Sequence, residues 1–159
     1  MKQIGIILLL IVSQGFGQWE YSINDAKRSI EAIGKIEFNV QLQDTIVMNL
    51  SNSRRLGVDF SIQGKYFKSE EKYYVLFEIS GRKIKVLRSI IENNNYRIFE
   101  LKDLISNEKF ELEDFLKILK RADECFITIR SNNRVIQGHN QLYGSATAIN
   151  NVISGRRPK

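Results

Sequence analysis

Apolar and polar residues alternate along most of this chain. In KIEFNVQLQ, residues 35–43, Ile36, Phe38, Val40 and Leu42 fall on one side and Lys35, Glu37, Asn39 and Gln41 on the other. Successive strand side chains point to opposite faces, so this rhythm predicts a strand with one buried and one wet face. The same rhythm places Ile46, Met48 and Leu50 inward in TIVMNL (45–50), and Val58, Phe60 and Ile62 inward in GVDFSIQ (57–63). In KYYVLFEIS (72–80) the inward set is Tyr73, Val75, Phe77 and Ile79. KIKVLR (83–88) sets Ile84 and Val86 against Lys83 and Lys85. YRIFEL (96–101), ECFITIR (124–130) and VIQGHNQLY (135–143) complete about eight strands.

Two short breaks read as hairpin turns, Ser80-Gly81 and Asn132-Asn133, because Gly and Asn tolerate the positive φ of tight turns. SNSRRLG, SEEK and ENNN read as longer surface loops. The period changes once, in ELEDFLKILKRA (111–122), where Leu112, Phe115, Leu116 and Leu119 recur at helical spacing. Glu111, Glu113 and Asp114 stand in its first turn and Lys117, Lys120 and Arg121 in its last, which opposes the helix dipole at both ends. A second, short helix is expected after Gly144, with Ser145 as its N-cap and Ala146, Ile149 and Ile153 turned inward. Many short strands with one amphipathic crossover helix predict a mainly β, antiparallel β-sandwich or small barrel-like fold.

The two ends depart from this pattern. MKQ is a basic start, Ile4 to Val12 is an apolar run, and Gly15 and Gly17 follow at small-x-small spacing. Residues 1–17 therefore read as a signal peptide cleaved between Gly17 and Gln18. The run is too short for a membrane span, which needs roughly 20 apolar residues. No later run is apolar enough to span either. One β-rich domain is expected over residues 18–153, with a basic, flexible tail at 154–159. The localisation implied is secreted or periplasmic.

Composition narrows the chemistry. An exported chain with a single cysteine, Cys125, has no internal disulfide. Cys125 shares a strand face with Ile127 and Ile129, which predicts a buried thiol rather than a nucleophile. His139 is the only histidine and lies six positions before Ser145. An extended strand carries six residues over about 20 Å, and the surroundings lack a G-x-S-x-G elbow, so the pair reads as architecture. SEEK and SNEK both fit S-x-x-K without its companion motifs and read as turns. Asn49 opens an N-L-S glycosylation sequon, to which no role is assigned. One histidine and one cysteine do not make a structural zinc site, and no nucleotide-binding fingerprint occurs. No cofactor and no catalytic residue are therefore assigned.

The order of QWEYS, TIVMNL, FEISGRKIKVLR, FELEDFLKILKRADECFITIR and QLYGSATAINNVI resembles that of small uncharacterised secreted proteins of Gram-negative bacteria. Leu142, Gly144, Ser145, Ala148 and Ile149 are also similar to the closing element of invasion-associated locus B-like proteins. That group carries paired cysteines, which this chain lacks. The resemblance implies a secreted β-rich domain without a defined catalytic site.

The formal net charge of the full sequence is +6. Arg82, Lys83, Lys85 and Arg88 mark one hairpin arm as a candidate surface for an anionic partner, with Tyr73, Tyr74 and Tyr96 nearby in sequence or pattern. Arg54, Arg55, Arg130 and Arg134 are expected at loop ends. A solvated outer face explains such charge equally simply. Trp19 and Tyr21 could stack on a sugar or clamp the first strand into the core. The favoured expectation is a non-catalytic binding domain for an envelope or extracellular ligand. A small envelope hydrolase and an electrostatic binder of anionic envelope polymers are the alternatives, and nucleic acid is not the favoured partner.

Overall fold

A computed structural model of the chain describes residues 19–156. The signal segment, its cleavage point at Gly17 and Gln18, and the last three residues of the tail lie outside the described residues. The strands are β1 (Glu20–Asn24), β2 (Ser29–Lys35), β3 (Glu37–Phe38), β4 (Val47–Ser53), β5 (Gly57–Gln63) and β6 (Tyr74–Ile79). They continue as β7 (Arg82–Glu92), β8 (Asn95–Asp103) and β9 (Lys109–Glu111), then β10 (Glu124–Arg130) and β11 (Val135–Gln141). Helix α1 (Leu112–Arg121) joins β9 to β10, and α2 (Ser145–Ile153) follows β11.

All eleven strands belong to one antiparallel sheet, in the order β1-β2-β4-β5-β8-β7-β6-β10-β11-β3, with β9 added beside β8. β2 and β3 are successive parts of one chain segment, interrupted only at Ile36. β2 pairs with β4 (Lys35 opposite Val47), while β3 pairs with β11 (Phe38 opposite Gly138). The sheet thus curls until its last strand meets the continuation of its second. One curled sheet forms, of eleven strands where about eight were expected.

The seam between β2, β3 and β11 depends on two glycines. A Cβ on Gly34 would stand 2.5 Å from the Trp19 ring, and one on Gly138 would stand 2.5 Å from the Ile36 side chain. Trp19 fills the space over Gly34, and its indole N–H donates to the Asn140 side-chain oxygen at 2.9 Å. Asn140, fully buried, in turn donates to the Lys35 carbonyl. Of the two roles open to Trp19, the structure shows the clamp.

Inside the curl, alternation holds where pairing continues on both edges. Ile46, Met48, Leu50, Phe60, Ile62, Val75, Phe77, Ile79, Ile84 and Val86 are all buried in one apolar cluster. So are Cys125, Ile127 and Ile129. Val58, at the end of its strand, is exposed. Helix α1 inserts Phe115 between Phe60 and Phe77, at ring separations of 5.5 and 5.0 Å. Its Phe115, Leu116 and Leu119 are buried as the spacing predicts, and Lys117 pairs with Glu113 and Asp114. Helix α2 packs against α1 and against β1, β2 and β4.

Four local expectations are corrected. Of the alternating stretch 35–43, only Lys35, the last residue of β2, and Glu37–Phe38 are strand, and Asn39 onward leaves the sheet. Lys35 already faces Val47 across the β2–β4 pair, so the intervening residues must make the reversal between those strands. ENNN is not a long loop: Asn93 and Asn94 form a two-residue turn between β7 and β8, with φ of 50° and 63°. Asn132-Asn133 belongs instead to a four-residue turn closed by the Ser131 N–H on the Arg134 carbonyl at 2.8 Å, and neither Asn has positive φ. Finally, the N-cap of α2 is Gly144 (φ 80°) rather than Ser145, and the inward stripe is Ser145, Ala148, Ile149 and Val152.

Candidate functional site

The outer surface of β6, β7, β8, β9 and β10 gathers cations. On β7, buried Ile84 and Val86 force Lys83 and Lys85 outward by simple alternation. A register shift at Leu87 then brings Arg88 out beside them. Pairing sets Lys85 opposite Lys102 on β8, and Lys102 opposite Lys109 on β9. Three lysines therefore lie in one cross-strand row. Like charges directly opposite one another destabilise a sheet, so this row is a cost that folding alone does not require.

The neighbouring rings hold some of that charge. Lys85 lies over Tyr74 at 4.9 Å and Arg130 over the same ring at 5.9 Å. Arg88 and Arg97 lie over Phe99 at 5.7 and 5.4 Å. The Arg97 Nε–H is shared between the two carboxylate oxygens of Asp59, at 3.0 and 3.1 Å, and its Nη1 reaches Glu92 at 3.3 Å. Lys109 pairs with Glu100 at 3.3 Å. Among the described residues, Lys83, Lys85, Arg88, Lys102 and Arg130 form no ion pair with a carboxylate.

Of the four residues the sequence nominates, Lys83, Lys85 and Arg88 belong to this face. Arg82 stands apart at the β6–β7 turn and bonds Asp103 at 3.5 Å. Sequence reading missed Lys102, Lys109 and Phe99, because their place beside Lys85 and Arg88 is set by strand order and not by neighbourhood in the chain. Tyr73 and Tyr96 are not on the face: Tyr96 is buried, and both pack with Phe67 at one end of the sheet.

The remaining chemical candidates have structural partners. His139 stacks on Phe126, its direct cross-strand neighbour, at 4.8 Å, and its Nε2 lies 3.2 Å from Glu124. Ser145 is buried, and its hydroxyl donates to the Leu119 carbonyl at 3.5 Å. The two residues have separate partners, one on the strand pair and one beneath α1. Cys125 is buried, and burial pushes its thiol well above the ordinary thiol range. Asn49 is buried in β4, paired on both sides, and donates to Glu31 at 3.4 Å, so the folded protein presents no sequon there. SEEK lies wholly in the β6 approach and SNEK runs from a turn into the start of β9. Among the described residues, no cluster of three or more His, Cys, Asp or Glu is placed to hold a metal ion, and no helix is long and apolar enough to cross a membrane.

The fold and this face together define an antiparallel, curled-sheet protein with a lysine- and arginine-rich outer surface. Comparison of the chain with protein-family models, curated proteins and solved structures finds no match.

Proposed function

We propose that the chain is an exported, barrel-like binding domain, secreted or periplasmic, that acts without catalysis and holds an acidic polysaccharide on its β6–β10 outer face. The observation carrying this reading is the row Lys85, Lys102 and Lys109, whose mutual repulsion a polyanion would relieve. Charge choice narrows the polymer. Of the outward rings of this face, Tyr74 and Phe99 each already carry two cations and Phe126 stacks on His139, whereas single-stranded nucleic acid is held by bases stacking on free rings. A carboxylated or sulfated glycan needs the cations and not the ring faces. The signal-peptide pattern read in residues 1–17 supports an envelope or extracellular setting for that ligand.

Binding to heparin, a sulfated polysaccharide, tests the reading. Affinity should fall steeply between about 50 and 200 mM salt as counterions compete. Lys85→Gln should weaken it several-fold, while Lys117→Gln, the same charge change on the far helix α1, should not. Salt-independent binding, equal losses in the two variants, or tighter binding to single-stranded DNA would each overturn the assignment.

A further inference from the structure

A second recognition site, separate from the lysine face and independent of it, is suggested by the rim of the curl. Three connections meet there: the β3–β4 loop, the β5–β6 loop and the β10–β11 turn. Between them lies an open cleft of about 640 Å³. One wall is the stretch that leaves the sheet after Phe38 despite its strand-like alternation, leaving Val40 36% exposed.

The charges of the cleft are unevenly committed. Its two carboxylates serve the loops. Asp44 accepts the Lys65 backbone N–H at 2.6 Å, and Glu71 lies 3.2 Å from the Tyr73 hydroxyl. That hydroxyl donates to the Tyr66 carbonyl at 2.8 Å and accepts the Lys68 N–H at 3.0 Å, so the β5–β6 loop is held in place. The three cations, Lys65, Lys68 and Arg134, form no ion pair among the described residues. Tyr66, which also lines the cleft, has a buried hydroxyl without a hydrogen-bond partner in the protein. Gln41, Gln43 and Asn133 add amides that can both donate and accept.

We propose that this cleft binds a single acidic sugar, a hydroxyl-rich ring bearing a carboxylate. Arg134 and the two lysines take the carboxylate, the amides take ring hydroxyls, and Leu42 with the Tyr66 ring supplies an apolar floor. Arginine suits this role because its planar fork meets a carboxylate with two parallel bonds. Arg134 is exposed at the end of its turn and holds that turn only through its backbone carbonyl, so its side chain can be removed without loss of the hairpin.

Titration of the ¹⁵N-labelled protein with glucuronate, followed by amide chemical shifts, tests the site. Saturable shifts should appear in residues 41–44, 65–68 and 131–134, and glucose, which lacks the carboxylate, should not produce them. Arg134→Ala should weaken glucuronate about tenfold, as expected for loss of a charge-assisted bond, and Lys85→Gln should leave it unchanged. The proposal is overturned if those amides do not shift saturably, if glucose matches glucuronate, if Arg134→Ala binds like the parent, or if the shifts fall on the lysine face instead. The heparin experiment can fail without touching this result, and the reverse holds.

Discussion

Tyr73 shows how one side chain can hold a loop and register its environment. Burial pushes its phenol up to about 12, against the Lys68 N–H that favours the phenolate and with the Glu71 charge adding to the rise. The folded state therefore prefers the protonated phenol. An unfolded chain releases that proton near the ordinary value of 10.0, so the stabilisation is complete below that pH. It is lost as pH rises from 10 through about 12. Tyr73→Phe should be less stable than the parent at neutral pH, having lost the bonds to Tyr66 and Lys68. Its denaturation midpoint should then decline less between pH 10 and 12. Buried Cys125 pulls in the same alkaline direction in both proteins, so the difference between the curves isolates Tyr73. Parallel curves would show that the phenol ionises alike in both states. None of this was legible from the sequence, where Tyr73 read as one more inward strand residue. Its loop partners are set by the β5–β6 connection, whose shape no periodicity encodes.

Among the elements, legibility follows pairing. β6, the start of β7 and β10 read correctly because their inward positions are large and apolar and each has a neighbour on both edges. β2 escaped notice for the opposite reason. Its inward positions include Ala32 and Gly34, the latter beneath the Trp19 ring, and small residues do not register as an apolar stripe. Its outward Glu31 is buried too, held by Ser29, Asn24 and Asn49 at 3.1 to 3.4 Å, which blurs the alternation further. Conversely, 39–43 alternates well and pairs hardly at all, because the chain must turn there to build β4. The Asn93-Asn94 turn hid behind a third asparagine, Asn95, that already belongs to β8. The seam makes a direct prediction. Gly34→Ala forces the Trp19 ring to move, breaking its bond to Asn140, and should destabilise the protein by about 1–3 kcal/mol, as overpacking does. Chemical denaturation reads that loss. A neutral result would mean that Trp19 does not clamp the first strand.

At the scale of the whole molecule, the curled sheet turns scattered sequence positions into surfaces. Lys85, Lys102 and Lys109 come together only because β7, β8 and β9 are adjacent. Lys65 and Lys68 meet Arg134 only because the β5–β6 loop and the β10–β11 turn share one rim. A hairpin arm with basic residues was visible in the sequence, but the row across strands was not, since strand order decides it. On the binding proposal, this row is retained at the expense of stability. Lys102, between two like charges and without a carboxylate partner among the described residues, is the residue on which the two demands conflict most. The most direct measurement is therefore the stability and heparin affinity of Lys102→Gln, taken on the same sample. The account predicts a protein more stable by about 0.2–1 kcal/mol, the scale of a cross-strand pair, that binds heparin several-fold more weakly. A variant of unchanged or lower stability that binds heparin as tightly as the parent would contradict it.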